Sequence, residues 1–254
     1  MLNTISASVF KEIVYRRRYL VNTIFNIIVF YLIFLALLGG VRVFGGDFVY
    51  DETIAGLIVS FYSWTMMLSV FTSTAYLVEA NKMYGTLETL TANSRSLILV
   101  LITESVVDIL FFFVFSLLNI FLFSITAGVS ISYNILSLLV VVFTGLISML
   151  GLSLVIAGIT LIIRKAGNAL NLMQFILLGI LFLPSTIYTQ IFVPFFSAFT
   201  LLEKIMVDNL TIITVPSDLL LFLFINAVIY FTIGIVTFTL CLKKGMKKGY
   251  LGFY

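Results

Sequence analysis

Six apolar runs, at approximately 19–41, 53–78, 97–127, 134–163, 168–190 and 217–242, leave this chain few ways to fold. A helix needs roughly 20 residues to cross a bilayer, and every run reaches or exceeds that length. Several show no helical alternation because they are apolar all round, as helices immersed in lipid are. A water-soluble fold could not hide them, since about half of any folded surface still meets solvent. Only 10% of the 254 residues are charged, where an ordinary soluble domain carries about 25%. The expectation is an all-α membrane protein with six transmembrane helices, forming a single transmembrane domain over residues 1–254.

Charge at the ends of the runs sets the orientation. With the N-terminus inside, 12 of the 14 basic residues fall on the cytoplasmic side, and only Arg42 and Lys204 fall outside. The positive-inside rule then predicts an N-in, C-in arrangement. Lys11 and Arg16-Arg17-Arg18 precede the first run, which is longer than a signal-peptide core and has no small-residue cleavage site after it. It reads as a permanent span. Within residues 1–18, Leu2, Ile5, Val9 and Ile13 share helical spacing while Lys11 and Glu12 lie on another face. That pattern predicts an interfacial amphipathic helix on the inner leaflet, anchored by the triple arginine.

The three prolines, Pro184, Pro194 and Pro216, crowd into one stretch at the outer side. The apolar run from 168 to 202 is too long for one crossing of a core of about 30 Å, and proline ends helices. A re-entrant hairpin between the fifth and sixth helices, within an extracytoplasmic region 184–216, resolves the length. Backbone of that kind must be buried in protein or line a wet cavity.

Polar residues inside the runs are few. Glu104 and Asp108 stand at i and i+4 on one helix face, where intramembrane acids often serve ions. The stretch 109–127 nearly suffices to span, so both acids are expected at the inner headgroup layer, near basic residues of other loops. Asn119, Asn168, Asn171 and Gln174 read as interhelical hydrogen bonders, and Phe111, Phe112, Phe113 and Phe115 as packing. Thr144, Ser148, Gly151 and Gly158 share one side of the fourth run, a small-residue face that lets helices approach closely.

Catalytic chemistry finds little to use. The single cysteine, Cys241, excludes an internal disulfide and a cysteine metal site, and there is no histidine. GxSxG, HExxH and the phosphate-binding GxxxxGK[ST] are all missing, so a drive by ATP would need a second polypeptide.

The polar island 79–96, EANKMYGTLETLTANSRS, lies between the second and third runs on the cytoplasmic side. Gly85 suits a tight turn, Thr86 a helix N-cap, and Glu88 the positive end of the helix dipole. Leu87 and Leu90, at i and i+3, form an apolar pair for a partner's groove or for the membrane surface. Taken with residues 2–18 and with Pro184 through Pro216, the island resembles the coupling loop of ABC-2 type permeases, the membrane subunits of ATP-binding-cassette exporters. The matched residues are Glu79, Gly85, Thr86, Leu87, Glu88 and Leu90. Lys82, Met83 and Tyr84 separate Glu79 from the glycine, and Thr91-Ala92-Asn93-Ser94 stands where many members carry a proline.

The resemblance implies a permease with no active site of its own. Two ATPase subunits would bind ATP and Mg and push on residues 79–96. A second permease copy, or a homologous one, would complete a path for an amphipathic or hydrophobic substrate such as a drug, peptide or lipid-linked molecule. It implies contact with membrane lipids, no nucleic acid, no cofactor or metal in this chain, and a multi-pass place in a prokaryotic plasma membrane. Two rival readings remain: an ATP-independent ion-coupled carrier or channel using Glu104 and Asp108, and a non-transporting membrane immunity or scaffold protein.

Overall fold

The computed structural model describes residues 2–44, 51–87, 90–91, 97–163 and 167–248. Among the described residues every regular element is a helix: α1 (Leu2–Arg18), α2 (Leu20–Phe44), α3 (Asp51–Met83), α4 (Leu97–Ala127), α5 (Ile135–Ile162), α6 (Gly167–Ile180), α7 (Ile187–Phe192), α8 (Phe196–Met206) and α9 (Ser217–Lys248). Five of them, α2, α3, α4, α5 and α9, are long and apolar enough to cross a membrane. The chain is an all-α, multi-pass membrane protein.

Helix ends follow local chemistry. Asp51 and Glu52 occupy the first turn of α3, where acids complement the helix dipole. Asn134 caps α5 by accepting from the Ser137 N–H at 3.1 Å. At the end of α4, Gly128 adopts φ +74°, while Val129 N–H reaches back to Ser124 C=O at 3.3 Å and Gly128 N–H to Ile125 C=O at 3.2 Å. This is the paired-bond stop that favours glycine. Arg42, at the end of α2, donates to Ala127 C=O at 2.7 Å, placing a cation on the negative end of α4.

The helices alternate in direction. Arg42 brings the ends of α2 and α4 together, and Lys82 does the same for α3 and α5. At the opposite end of α4, Lys11 of α1 pairs with Glu104. α3 is the central helix: 72% of its most apolar window is buried, against 11% for α2 and 22% for α9. Stacked rings of Phe34 and Phe123, with centroids 4.2 Å apart, fasten α2 to α4, and Phe61 of α3 closes on both.

α5 and α9 run parallel. A side chain added at Gly151 would meet the backbone of Tyr230 and Phe231, and one at Gly158 would meet Phe238 and Cys241. The small-residue face of α5 is thus a packing surface, with Gly145 against Ala198 of α8 and Phe195 just before that helix. Parallel neighbours force the intervening chain to travel from the end of α5 back to its beginning.

That return differs from the single fifth helix expected over 168–190. α6 stops at Ile180 after 14 residues, a length of about 21 Å at roughly 1.5 Å per residue, short of a core of about 30 Å. Pro184 is the cause: its ring disfavours helix at Leu183 and would clash with the carbonyl of Ile180. The chain tightens instead, through bonds from Leu181, Phe182 and Leu183 to the carbonyls three residues back, each 3.2 Å. α7 then starts at a reciprocal Thr186–Thr189 cap. After Pro194, α8 starts from Phe195, whose φ is +66° and whose N–H donates to Ser148 Oγ at 2.9 Å.

Asn226 of α9 holds the turn from the other side, donating to the carbonyls of Ile191 and Val193 at 2.8 Å each. Ser148 lies 13 residues along α5 from Ile135, and Asn226 nine residues along α9 from Ser217. The α7–α8 turn therefore sits about 13–20 Å from the end where both helices begin. α8 returns to that end, where Met206 C=O accepts from Ser132 N–H at 3.0 Å.

Candidate functional site

Two places carry polar chemistry that the apolar bundle does not need for its own sake: the turn that ends α3, and a cavity between α2, α3, α4 and α6.

The turn is built from a glycine-terminated helix. Gly85 has φ +67°; Thr86 N–H bonds to Asn81 C=O at 3.0 Å and Gly85 N–H to Lys82 C=O at 3.2 Å. These two bonds satisfy carbonyls at the end of α3 and reverse the chain. Thr86 C=O then accepts from Leu90 N–H at 3.0 Å, which is how an N-cap residue begins a new helical turn. Its hydroxyl turns back to Asn81 Oδ1 at 2.8 Å.

Leu87 is fully buried and Leu90 packs half-buried against the same core, so the leucine pair faces the chain's own interior. Among the described residues of the turn, Met83 and Tyr84 are exposed, at 71% and 77% accessible, as is Thr86; the spacing argument passed over the first two. Glu79 is half-buried on α3. Glu88 and residues 92–96 lie outside the described residues.

Lys82 fixes this turn to the bundle. It is buried, and Nζ donates to the carbonyls of Thr160, Leu161 and Ile163 at 3.1, 3.2 and 2.8 Å. The last carbonyls of an α-helix lack intrahelical partners, and an ammonium at that end answers both their hydrogen bonds and the dipole. Sequence spacing gave no sign of it, because the partner is 78–81 residues away.

The two acids of α4 serve different neighbours. Glu104 forms an ion pair with Lys11 at 2.7 Å, joining α1 to α4. Asp108, half-buried, lines the cavity.

That cavity has a volume of about 330 Å³. α3 contributes Thr65, Ser69 and Thr72, α4 contributes Asp108 and Asn119, and Asn26 and Gln174 come from α2 and α6. Each α3 hydroxyl donates to its own helix: Thr65 to Tyr62 C=O, Ser69 to Met66 C=O and Thr72 to Leu68 C=O, all at 2.8 Å. Gln174 Nε2 donates to Tyr76 OH at 3.1 Å, and Tyr76 in turn donates to Asn171 Oδ1. Asn171 and Gln174 are the interhelical hydrogen bonders expected of them. Asn119 is not: it is 8% accessible and its carboxamide oxygen has no hydrogen-bond partner among the described residues. The stripe Thr65, Ser69, Thr72, at i, i+4 and i+7, was readable in the sequence as a polar face on an apolar helix.

No protein-family model matches the chain, and no curated protein or solved structure matches it either.

Proposed function

We propose that the chain is the permease subunit of an ATP-driven ABC exporter of the ABC-2 type, worked by a separate pair of ATPase subunits that bind ATP and Mg. The observation that carries this reading is the turn at the end of α3. A motor subunit needs a protruding grip that is rigidly joined to the helices it must move. Met83 and Tyr84 protrude, the Gly85 turn fixes their direction, Leu87 roots the turn in the core, and Lys82 joins it to α5. A push on the tip passes to α3 and α5 together. From α5 it passes to α9 through the Gly151 contact and to α8 through Gly145 and Ser148.

In this reading the apparatus is six crossings, N-in and C-in, with α6 and the residues after it making the fifth. The parallel packing of α5 and α9 supports that count, because the chain must return between them. The α7–α8 turn, held well below the end of the bundle by Ser148 and Asn226, is the re-entrant hairpin that closes the outer side. α1, with Phe10, Ile13 and Val14 exposed, lies along the inner leaflet of a prokaryotic plasma membrane, and Lys11 ties it to α4. A second permease copy or a homologous one completes the path for an amphipathic or hydrophobic substrate.

The test is purification of the chain from its native membrane in mild detergent, as wild type and as Met83→Ala/Tyr84→Ala. Both residues are exposed, so the variant should fold and insert normally. The expected outcome is a stoichiometric ATPase with a phosphate-binding loop in the wild type, lost or no longer stimulated in the variant. Wild-type chain that emerges alone across several detergents would overturn the exporter reading; an ATPase retained and stimulated equally by the variant would overturn the assignment of the tip. The rival carrier reading draws on Asp108 in the cavity, and it expects flux that depends on an ion gradient with no partner present.

A further inference from the structure

A polar row runs along α3 from its middle to its end. Thr65, Ser69, Thr72, Tyr76 and Glu79 stand at i, i+4, i+7, i+11 and i+14, a spacing that keeps them on one face. At roughly 1.5 Å per residue the row extends about 21 Å. Its first three members line the cavity between α2, α3, α4 and α6. The fourth, Tyr76, crosses from α3 to α6, where its hydroxyl accepts from Gln174 Nε2 at 3.1 Å and donates to Asn171 Oδ1. Glu79 follows about one turn further on, toward the Gly85 turn that ends the helix.

The walls of the cavity suit water. The hydroxyls of Thr65, Ser69 and Thr72 donate to carbonyls of α3 and retain lone pairs, while the carboxamides of Asn26, Asn119 and Gln174 bring N–H groups as well as oxygens. Water both donates and accepts, so it meets either kind of group. Asn119 is 8% accessible, yet its carboxamide oxygen has no partner among the described residues. Buried polar atoms ordinarily bond to protein or to water. A volume of about 330 Å³, against roughly 30 Å³ for one molecule in the liquid, has room for several waters.

Water in the cavity needs a way in. Between the cavity and the Glu79 end of the row stands the Tyr76 phenol, one hydrogen bond from the cavity wall at Gln174. Tyr76 is half-buried and Asn171 is exposed. Two neutral side-chain bonds hold the phenol to α6, and each contributes little once water competes for it. We propose that the α3–α6 seam is an aqueous passage with Tyr76 as its gate. Bonded to Asn171 and Gln174, the phenol closes the cavity from the membrane face at which α3 ends; rotated off α6, it opens it. Only that side chain has to move, because Leu170 and Leu177 of α6 are buried in the core and hold the helix in place. The passage is built from this chain's own helices and does not rest on the exporter reading.

Ser69→Cys, made in a Cys241→Ala background, places a thiol at the cavity wall. It would be labelled with a charged, membrane-impermeant methanethiosulfonate in right-side-out and in inverted vesicles of the native membrane. Tyr84→Cys, at an exposed residue of the turn, marks the face at which α3 ends, and Leu118→Cys, on the exposed apolar side of α4, marks the background. The expected result is that Ser69→Cys reacts from the face that labels Tyr84→Cys, and faster than Leu118→Cys. Adding Tyr76→Phe, which keeps the ring and removes both bonds, should speed this labelling at least about fivefold, the equivalent of one neutral hydrogen bond. Should Tyr76→Phe fail to insert, Asn171→Ala, at an exposed site, removes one of the two bonds and is expected to speed labelling by a smaller factor. Labelling of Ser69→Cys no faster than Leu118→Cys, labelling as fast or faster from the opposite face, or a rate unchanged by either gate variant would each overturn the proposal. No ATPase takes part in this assay, so its outcome is independent of the coupling test.

Discussion

Replacing Gly151 with alanine tests how closely α5 and α9 depend on each other. A Cβ built there would stand 2.2 Å from Tyr230 O, 2.3 Å from its carbonyl carbon and 2.6 Å from Phe231 N. All three are backbone atoms, so no side chain can rotate away. Ordinary contact begins near 3.4 Å, and the two helices must separate locally by about 1.2 Å (3.4 − 2.2). A gap of that size forfeits a quarter to a half or more of the attraction between each facing pair of atoms. Overpacking of this kind costs about 1–3 kcal/mol, and the rigid backbone places this site near the upper value. Alanine returns up to about 1 kcal/mol of helix propensity, leaving a net loss of about 2 kcal/mol.

Gly39 of α2 is the control, because nothing lies within 4 Å of its would-be Cβ. Gly39→Ala should be neutral or stabilising by up to about 1 kcal/mol. The assay is thermal unfolding in detergent followed by a fluorogenic maleimide, which reads the single, half-buried Cys241 on the same face of α9. At roughly 2–4 °C per kcal/mol for chains of this size, Gly151→Ala should melt about 4–8 °C below wild type. Gly234→Ala should behave alike, since its Cβ would meet Gly151 O at 2.4 Å. If Gly151→Ala melts with wild type, or no lower than Gly39→Ala, the close contact does not hold these helices together.

Two further outcomes follow from the cations. Lys82→Met removes three hydrogen bonds to the last turn of α5 and leaves buried carbonyls without a donor; a loss of about 2–4 kcal/mol is expected. The same melt checks it, and a shift no larger than that of an exposed-site control such as Lys244→Met would refute the anchoring role. Glu104→Gln removes an ion pair whose lysine is 58% accessible, so stability should change by less than about 1 kcal/mol; a drop of several degrees would show that α1 depends on that pair far more than its exposure implies.

Legibility in the sequence divided along physical lines. The α-helical membrane class was readable because it rests on composition and run length, which need no partner: a run of 20 or more apolar residues has no other solvent than lipid. The positions of the turns were readable for the same local reason. Gly85 and Gly128 sit where φ is positive, and Pro184 ends its helix through its own ring. What such runs cannot encode is facing. A helix apolar all round carries no phase, so nothing in the pattern says which side meets protein and which meets lipid. Leu87 was therefore readable as one of an apolar pair but not as an inward one, and the paired acids at 104 and 108 were readable as neighbours but not as separate partners of Lys11 and the cavity.

The sequence by itself determined that this is a helical membrane protein with a polar turn after its second apolar run and a proline-broken stretch between its fifth and sixth, because each follows from the chemistry of a few adjacent residues. Only the tertiary structure decided that α5 and α9 run side by side through Gly151, that Lys82 closes the end of α5, and that Asn119 and Asp108 border one cavity. Those arrangements depend on atoms brought together from about 10 to 80 residues apart, and close packing, not local preference, selects among the ways of bringing them together.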